Sequence, residues 1–447
     1  MGLTGIQIFK LLPKTNCGEC GVPTCLAFAM ALAAGKAELA SCPYVSDEAK
    51  AQLAEASAPP IRPLAIGVGD SALKIGGETV LFRHEKTFVN SPGLAVLISE
   101  RMDDTEVGGR LKRFNELRFE RVGLTLRPEL VAVKDESGDT ARFVGLIDRV
   151  KKETDAGLIL MSQKTDVLAA GVKACADHVP LIYAVTNGNA DALADLAKEH
   201  RCPLAVKAKD LDELSQLTTK LDQAGIKDIV LDPGSRPLGK AFEDEVLIRR
   251  AALQKKFRPL GYPTITFTCE MTDNPMKETL IAAVFIAKYG GIIVLSDFQG
   301  HSLFPLLVER MNIYTDPQRP MTMKEGIYEI GNPDKNSPVL ITTNFSLTYF
   351  VVSGEIEASR VPSYLLVMDT EGLSVLTAWA AGKFVGDAMG MFIKKSEIAE
   401  KVTKKRIIIP GLVAAVSGDL EEELGSDWEV AIGPREAAHI PAFLKIG

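Results

Sequence analysis

Eight short runs, apolar on both faces and separated by helical patterns, occupy the middle of this sequence and narrow its fold more than any other feature. They are Leu94–Ser99, Leu130–Lys134, Leu158–Ser162, Leu181–Thr186, Leu204–Lys207, Ile229–Asp232, Thr264–Thr268 and Ile292–Asp297. Short runs without polar alternation suit strands covered on both sides, as in a parallel sheet flanked by helices. Helical periodicity fills the gaps, for example in Asp166–Ala176, Ala190–His200, Leu211–Ala224 and Pro275–Tyr289. Eight βα repeats predict a (β/α)8 TIM barrel over residues 93–324. An open doubly wound sheet is the competing arrangement. In a barrel, polar residues that follow the strands would gather at the C-terminal mouth. Asn187, Asp232-Pro-Gly-Ser-Arg236 and Asp297 are of this kind, although N-caps and turns use the same residue types.

The flanks differ from the middle. Residues 325–447 carry a shorter alternation, with strand candidates at Val339–Asn344, Ser363–Asp369, Arg406–Ile409 and Trp428–Ile432. Helical stretches follow at Leu373–Ala381, Lys395–Lys401, Leu412–Leu424 and Arg435–Leu444. Four strands are too few for a barrel and predict a small Rossmann-like sheet. Residues 1–58 read as a separate small unit: helical spacing over Gly5–Leu12, a cysteine-rich stretch, and an Ala-rich helix over Leu26–Ala37. The proline-dense segment Ala56–Pro63 predicts a semi-rigid linker, and residues 59–92 lead into the barrel. The fold class is therefore α/β, in three modules.

A net charge of −7 with no basic stripe argues against nucleic-acid binding. No apolar run approaches the length of a membrane span, and the start lacks a signal-peptide pattern, so a soluble cytoplasmic protein is expected. In that reducing compartment the cysteines read as metal ligands or core residues rather than disulfides. Four of the seven crowd the first 42 residues, as Asn16-Cys-Gly-Glu-Cys-Gly-Val-Pro-Thr-Cys25 and Cys42-Pro-Tyr. Cys17, Cys20, Cys25 and Cys42 thus place three soft donors on one loop and a fourth beyond a helix. Structural zinc more often uses two matched short pairs. The glycines at 18 and 21 free backbone amides to face sulfide, which favours a four-iron cluster, with zinc left open. Cys175, Cys202 and Cys269 have no ligand spacing and are expected to be small buried residues.

Three C-terminal stretches run from a strand end through a turn of small polar residues or glycine into a helix: Ile341–Tyr349, Leu366–Ala378 and Ile432–Ala438. In an open α/β sheet such tips line one crevice, with helix N-termini facing the ligand. Gly372 and Gly433 would allow close approach of a bulky group. A large amide-bearing macrocycle fits such a surface. A nucleotide is the other option, without a G-x-G-x-x-G or Walker pattern to support it, and ordinary turns are the plain alternative.

Taken together, the segments Lys14–Ala29, Ser41–Ser46, Thr342–Tyr349, Gly372–Thr377 and Gly433–Glu436 resemble the large (gamma) subunit family of the corrinoid iron–sulfur protein in the carbon monoxide dehydrogenase/acetyl-CoA synthase system. The resemblance spans the chain and includes all four cysteines. It implies a [4Fe–4S] domain, a TIM barrel and a corrinoid-binding domain, in that order. It implies a corrinoid methyl carrier of the reductive acetyl-CoA pathway. Co(I) takes a methyl group from methyltetrahydrofolate through a separate methyltransferase, and methyl-Co(III) donates it to the nickel centre of acetyl-CoA synthase. The cluster returns lapsed Co(II) to Co(I). Implied partners are a smaller barrel-type subunit in a heterodimer, the methyltransferase, acetyl-CoA synthase/carbon monoxide dehydrogenase and a low-potential electron donor. The implied corrinoid contacts are Thr343, Asn344, Ser346, Thr348, Thr370, Glu371, Gly372, Leu373, Thr377 and Gly433. The reacting centre is cobalt, so no catalytic side chain is assigned. The histidines are His84, His178, His200, His301 and His439, none in a D-x-H-x-x-G motif. A base-off cobamide without a histidine ligand is expected. For the barrel, scaffolding and docking are favoured over pterin binding. Alternatives are a pterin-dependent barrel methyltransferase with a redox domain, and an electron-transfer subunit without corrinoid.

Overall fold

The computed structural model describes residues 4–33, 37, 39–46, 48–50, 53, 58–121, 124–316 and 320–446. The chain divides into two compact units, one of residues 1–117 and 128–314, the other of residues 118–127 and 315–447.

All eight apolar runs are strands, and they form one parallel sheet: β1 (Gly93–Ser99), β2 (Leu130–Lys134), β3 (Gly157–Met161), β4 (Leu181–Val185), β5 (Leu204–Lys207), β6 (Ile229–Asp232), β7 (Ile265–Phe267) and β8 (Ile292–Leu295). The order is β6-β5-β4-β3-β2-β1-β8-β7, and a parallel bridge from Leu231 to Thr264 joins the two ends. This is a barrel and not the open sheet. Alternate residues such as Ala95, Ala132, Ile159, Ala205, Val230, Ile265 and Val294 fill its interior. Their neighbours Leu94, Val96, Val131, Val133 and Leu231 are fully buried beneath the helices. Burial on both faces is why the strands read as continuous apolar runs.

A hairpin, Leu64–Ile66 with Leu73–Ile75, adds its apolar side chains to the same interior. It sits at the starts of the strands: a Cβ on Gly93 would lie 2.3 Å from the Leu73 side chain. Asp and Asn caps start the outer helices, with Asp103 accepting from the Glu106 amide, Asp210 from Glu213 and Asn274 from Lys277.

The N-terminal cysteine segment belongs to the same unit. Helix Gly5–Leu11 opens with a reciprocal Thr4–Gln7 capping box and packs on helix Cys25–Ala33. Residues 34–36, in the expected last turn of that second helix, lie outside the described residues. So do residues 56 and 57 of the expected linker. From Ala58 onward the segment is tied to the barrel. Arg258 donates to the carbonyls of Pro59 (2.9 Å) and Ala58 (3.2 Å), and the Arg62 amide donates to Gly261.

The second unit is built on a five-stranded sheet: β9 (Gly326–Ile330), β10 (Val339–Thr343), β11 (Ser363–Met368), β12 (Arg406–Ile409) and β13 (Glu429–Ile432). Its order is β9-β11-β10-β12-β13, with β9 antiparallel and the rest parallel. Alternation divides the strands between two cores. Val339, Ile341, Leu366, Ile407 and Ile409 face helices Gly386–Lys395 and Ser417–Leu424. Leu340, Leu365, Val367 and Ile408 face helices Ser346–Ser359 and Ile440–Ile446. No helix among the described residues is long and apolar enough to cross a membrane.

Candidate cofactor sites

The cysteine loop is shaped by backbone that only glycine adopts freely. Gly18 and Gly21 have φ of +76° and +81°, and Asn16 also has positive φ. Asn16 and Cys25 hold each other: the Cys25 amide donates to Asn16 Oδ1 at 2.8 Å, and the Asn16 amide donates to Cys25 Sγ at 3.4 Å. Cys25 and Cys42 are buried in the small core with Ile8, Phe28 and Val45, Cys20 is half-buried, and Cys17 is exposed. Tyr44 donates to Glu19 at 2.8 Å, and that bond, more than the nearby Cys17 and Cys42 thiols, holds its phenol above the usual range. Loop and Cys42 turn are thereby joined. Among the described residues no three His, Cys, Asp or Glu side chains converge on a single-ion geometry. Soft thiol donors on a glycine-shaped loop, one of them already accepting from a backbone amide, suit an iron–sulfur cluster.

The second site follows from strand order. The parallel strands of the C-terminal sheet run second-first-third-fourth, so the connections from β10 and β11 leave in opposite directions. Ligands of open α/β sheets bind at such a switch point. β10 pairs with β11 over five residues but with β12 over only two, Val339–Ile407 and Leu340–Ile408. Beyond Leu340 the two strands part around a cavity of about 340 Å3. It is lined by Thr342 from β10, Leu347, Thr348 and Val351 from the following helix, Ser374 and Leu376 after β11, and Ile409 and Gly433 from the β12 and β13 ends. The hydroxyls of Thr342, Thr343 and Ser346 are buried without a hydrogen-bond partner. Thr342 and Thr343 are 0% exposed. A buried hydroxyl left unpaired costs roughly 1–3 kcal/mol. Of the three, Thr342 lines the crevice, an unspent buried hydroxyl that a polar ligand atom there would satisfy. Leu347 and Leu376 are exposed at the rim.

The residues expected here fall into two groups. Thr348 and Gly433 line the cavity, whereas Thr343 and Ser346, buried with unpartnered hydroxyls, are not among its lining residues. Asn344, Thr370, Glu371, Gly372 and Leu373 instead build the loop beside it. Asn344 Oδ1 accepts from the Thr370 amide (3.0 Å), the Thr370 hydroxyl (3.2 Å) and the Gly372 amide (3.0 Å), and its Nδ2 donates to Asp369 at 2.8 Å. Thr370 also donates to the Leu373 carbonyl. Glu371 is exposed and ion-paired with Lys383. The free space at Gly372 is taken by the chain itself: a Cβ there would lie 2.7 Å from Thr322 Cγ2. Thr377 pairs with Ser374 at 3.0 Å on the exposed side of the next helix. His439 is exposed on a short turn. Leu347 and Leu376 fall within the stretches singled out from the sequence, but Val351 and Pro410 of the apolar lining lie outside them, because single apolar residues carry no motif.

At the barrel mouth, Asp232 is fully buried at the end of β6. It accepts from Tyr183 (2.6 Å), from the Gly234 amide (2.8 Å) and from both Nη atoms of Arg236 (3.1 and 3.0 Å). The strand-end acid that suggested a pterin is thus satisfied by its own chain. Asn187 pairs with Glu213, and Asp297 with Arg113.

Comparison with known proteins gives a consistent result. The family model "CO dehydrogenase/acetyl-CoA synthase delta subunit" matches residues 63–444. A second model, for an Fe-S cluster segment, matches residues 12–44. The "Corrinoid/iron-sulfur protein large subunit" of Moorella thermoacetica is 47% identical over 445 residues, 100% of this chain and 99% of that one. The "Acetyl-CoA decarbonylase/synthase complex subunit gamma" of Methanopyrus kandleri is 37% identical, over 99% of this chain and 97% of that one. The same subunit from Archaeoglobus fulgidus is 36% identical, over 98% and 97%.

Proposed function

The chain belongs to the family of the corrinoid/iron–sulfur protein large subunit and the acetyl-CoA decarbonylase/synthase gamma subunit, and on that premise we propose that it is a methyl-group carrier with a cobamide in the C-terminal crevice and a [4Fe–4S] cluster on Cys17, Cys20, Cys25 and Cys42. The observation that carries this reading is the crevice itself. It has an unpartnered buried hydroxyl, Thr342, and an apolar rim, at the sheet position where α/β folds take large cofactors. The cluster reading rests on the donor set and on the matched Fe-S segment.

When bound, cobalt of the cobamide supplies a centre that accepts a methyl group and gives it up again. The chain's own residues do the rest. Thr342 and Thr348, which line the crevice, would offer hydroxyls to the cofactor's amides. Leu347, Val351 and Leu376 cover its apolar edge and exclude water. The loop braced by Asn344 sets one wall. His439, the one histidine of this unit, stands exposed on its turn and is not among the residues lining the crevice, which supports the expectation that a cobamide would be held here without an imidazole from the chain. Cys17, Cys20, Cys25 and Cys42 would hold the cluster, which would supply electrons for returning the cofactor metal to its reduced state.

In this role the methyl group comes from methyltetrahydrofolate through a methyltransferase and goes to the nickel centre of acetyl-CoA synthase. A smaller barrel-type subunit, carbon monoxide dehydrogenase and a low-potential electron donor complete the set of partners. The barrel acts as scaffold and docking body; the saturated Asp232 favours that role over pterin-dependent catalysis.

The test is an anaerobic visible spectrum with metal analysis, on the chain produced with its partner subunit and supplied corrinoid. The expected result is about one cobalt and about four irons per chain, with a corrinoid band that responds to reduction and to methyl donor. Iron without cobalt would overturn the carrier reading and leave an electron-transfer subunit.

A further inference from the structure

We propose that the mouth of the barrel is a recognition site for a planar amidinium group, filled in this chain by its own Arg236. The frame of the site comes from three strands. Asp232 ends β6, Tyr183 lies in β4 and Phe267 ends β7. Tyr183 and Phe267 meet edge to face at 4.9 Å, and the Tyr183 hydroxyl donates to Asp232 Oδ2 at 2.6 Å. Together they present a buried carboxylate with both oxygens turned to one side and an aromatic face beneath.

The group in that frame comes from a loop. Gly234 has φ +74°, and a Cβ there would lie 2.3 Å from the Ala208 carbonyl oxygen. The loop therefore folds back tightly, and the Gly234 amide is itself fixed on Asp232. Two residues later Arg236 returns over its own strand end. Its Nη atoms make parallel bonds to the two oxygens of Asp232, at 3.1 and 3.0 Å. Its guanidinium carbon lies 5.0 Å from the centre of the Phe267 ring. Nε points to Glu270. Nη1 also donates to the Ser235 carbonyl at 3.2 Å, so each nitrogen of the plane has an acceptor and its face has a ring, which is how a ligand site treats a guanidinium.

Strand residues thus make the receptor, and a loop residue is the occupant. The frame selects two parallel N–H donors on a flat cation. A compact ammonium meets only one of these demands, and an anion meets none. In the native chain the site is self-occupied, which keeps a buried carboxylate paired and closes the mouth to small planar cations.

The experiment uses the full chain with Arg236→Ala, with ethylguanidinium as the probe and ethylammonium as its non-planar control. The native protein is expected to show no saturable binding of either by calorimetry. R236A is expected to melt lower and to bind ethylguanidinium saturably, with a rise in melting temperature and a preference of about ten-fold over ethylammonium, as loss of a two-point contact implies. Adding Asp232→Asn to R236A is expected to abolish binding. Binding of both cations alike, no saturable binding to folded R236A, or equal binding by the native chain would each overturn the proposal. If R236A does not fold, Arg236→Lys carries the test. It keeps a charge but gives up the two-point contact, and ethylguanidinium is then expected to bind weakly but saturably, absence of binding being the refuting result.

Discussion

Replacing Asn344 by alanine tests whether the crevice wall is held by one side chain. Asn344 accepts from the amides of Thr370 and Gly372, both in a buried turn, and donates to Asp369. The Thr370 hydroxyl keeps a second partner in the Leu373 carbonyl, so its loss matters less. Two buried amides left without acceptors cost about 1–3 kcal/mol each. Some water will reach the turn, which puts the expected loss at about 3 kcal/mol. The turn is poorly placed to absorb this, because Glu371 and Gly372 both sit at positive φ, 56° and 76°. Both tryptophans of the chain, Trp379 and Trp428, lie in the C-terminal unit. Their fluorescence therefore follows that unit alone during urea unfolding, while circular dichroism follows the whole protein. The expected result for Asn344→Ala is an early fluorescence transition and weaker corrinoid retention, with the barrel transition unmoved. Asn344→Asp keeps an acceptor but sets a carboxylate against Asp369, so its loss should be smaller and should shrink as the pH falls toward the carboxylate range. A fluorescence midpoint in Asn344→Ala within about 1 kcal/mol of native, the low end of one lost acceptor, would refute the reasoning.

Three further outcomes follow from the same structure. Glu245 is fully buried, and burial pushes its carboxyl up to about 8 against the hydroxyls of Thr264 and Thr266. The folded protein then holds a proton that the unfolded chain releases above its ordinary carboxyl range, so barrel stability should fall as pH rises from about 4.5 to about 8. The slope is about 1.4 kcal/mol per pH unit, and Glu245→Gln should flatten it in pH-dependent urea unfolding. Gly372→Ala should lower the stability of the C-terminal unit by about 1–3 kcal/mol, from the left-handed backbone and the Thr322 contact, read by the same fluorescence. Cys25→Ala should lose iron and visible absorbance, whereas Cys202→Ala should keep both, since Cys202 is a core thiol pushed up to about 11 by burial.

The barrel was legible because its strands are buried on both faces, which leaves an unbroken apolar signature at each of the eight positions. The hairpin at its base was not: Leu64–Ile66 and Leu73–Ile75 are three residues each, and alternating burial gives them no run to notice. β9 was missed for a related reason, as a half-exposed antiparallel edge with no fully buried residue. At the crevice, small polar residues at strand ends signalled the region, but a sequence does not distinguish a hydroxyl left free, as at Thr342, from one spent on a turn, as at Thr370. Gly372 shows the limit most clearly. Its conformation is special, but the atoms that crowd it belong to residues fifty positions upstream. Arg236 was visible only as a loop residue, since its bond to Asp232 depends on how tightly Gly234 turns.

The segment 118–127 lies between β1 and β2 in the chain, yet it belongs to the same compact unit as the C-terminal sheet. Neither unit is therefore one uninterrupted stretch of gene. A ribosome makes this short piece early and must finish residues 128–314 before the rest of its unit begins to exist. A fragment starting at residue 315 therefore leaves out ten residues, 118–127, that group with it in the folded chain. To cut the chain into its two units takes three breaks, near residues 118, 128 and 315, where a simple tandem of domains needs one.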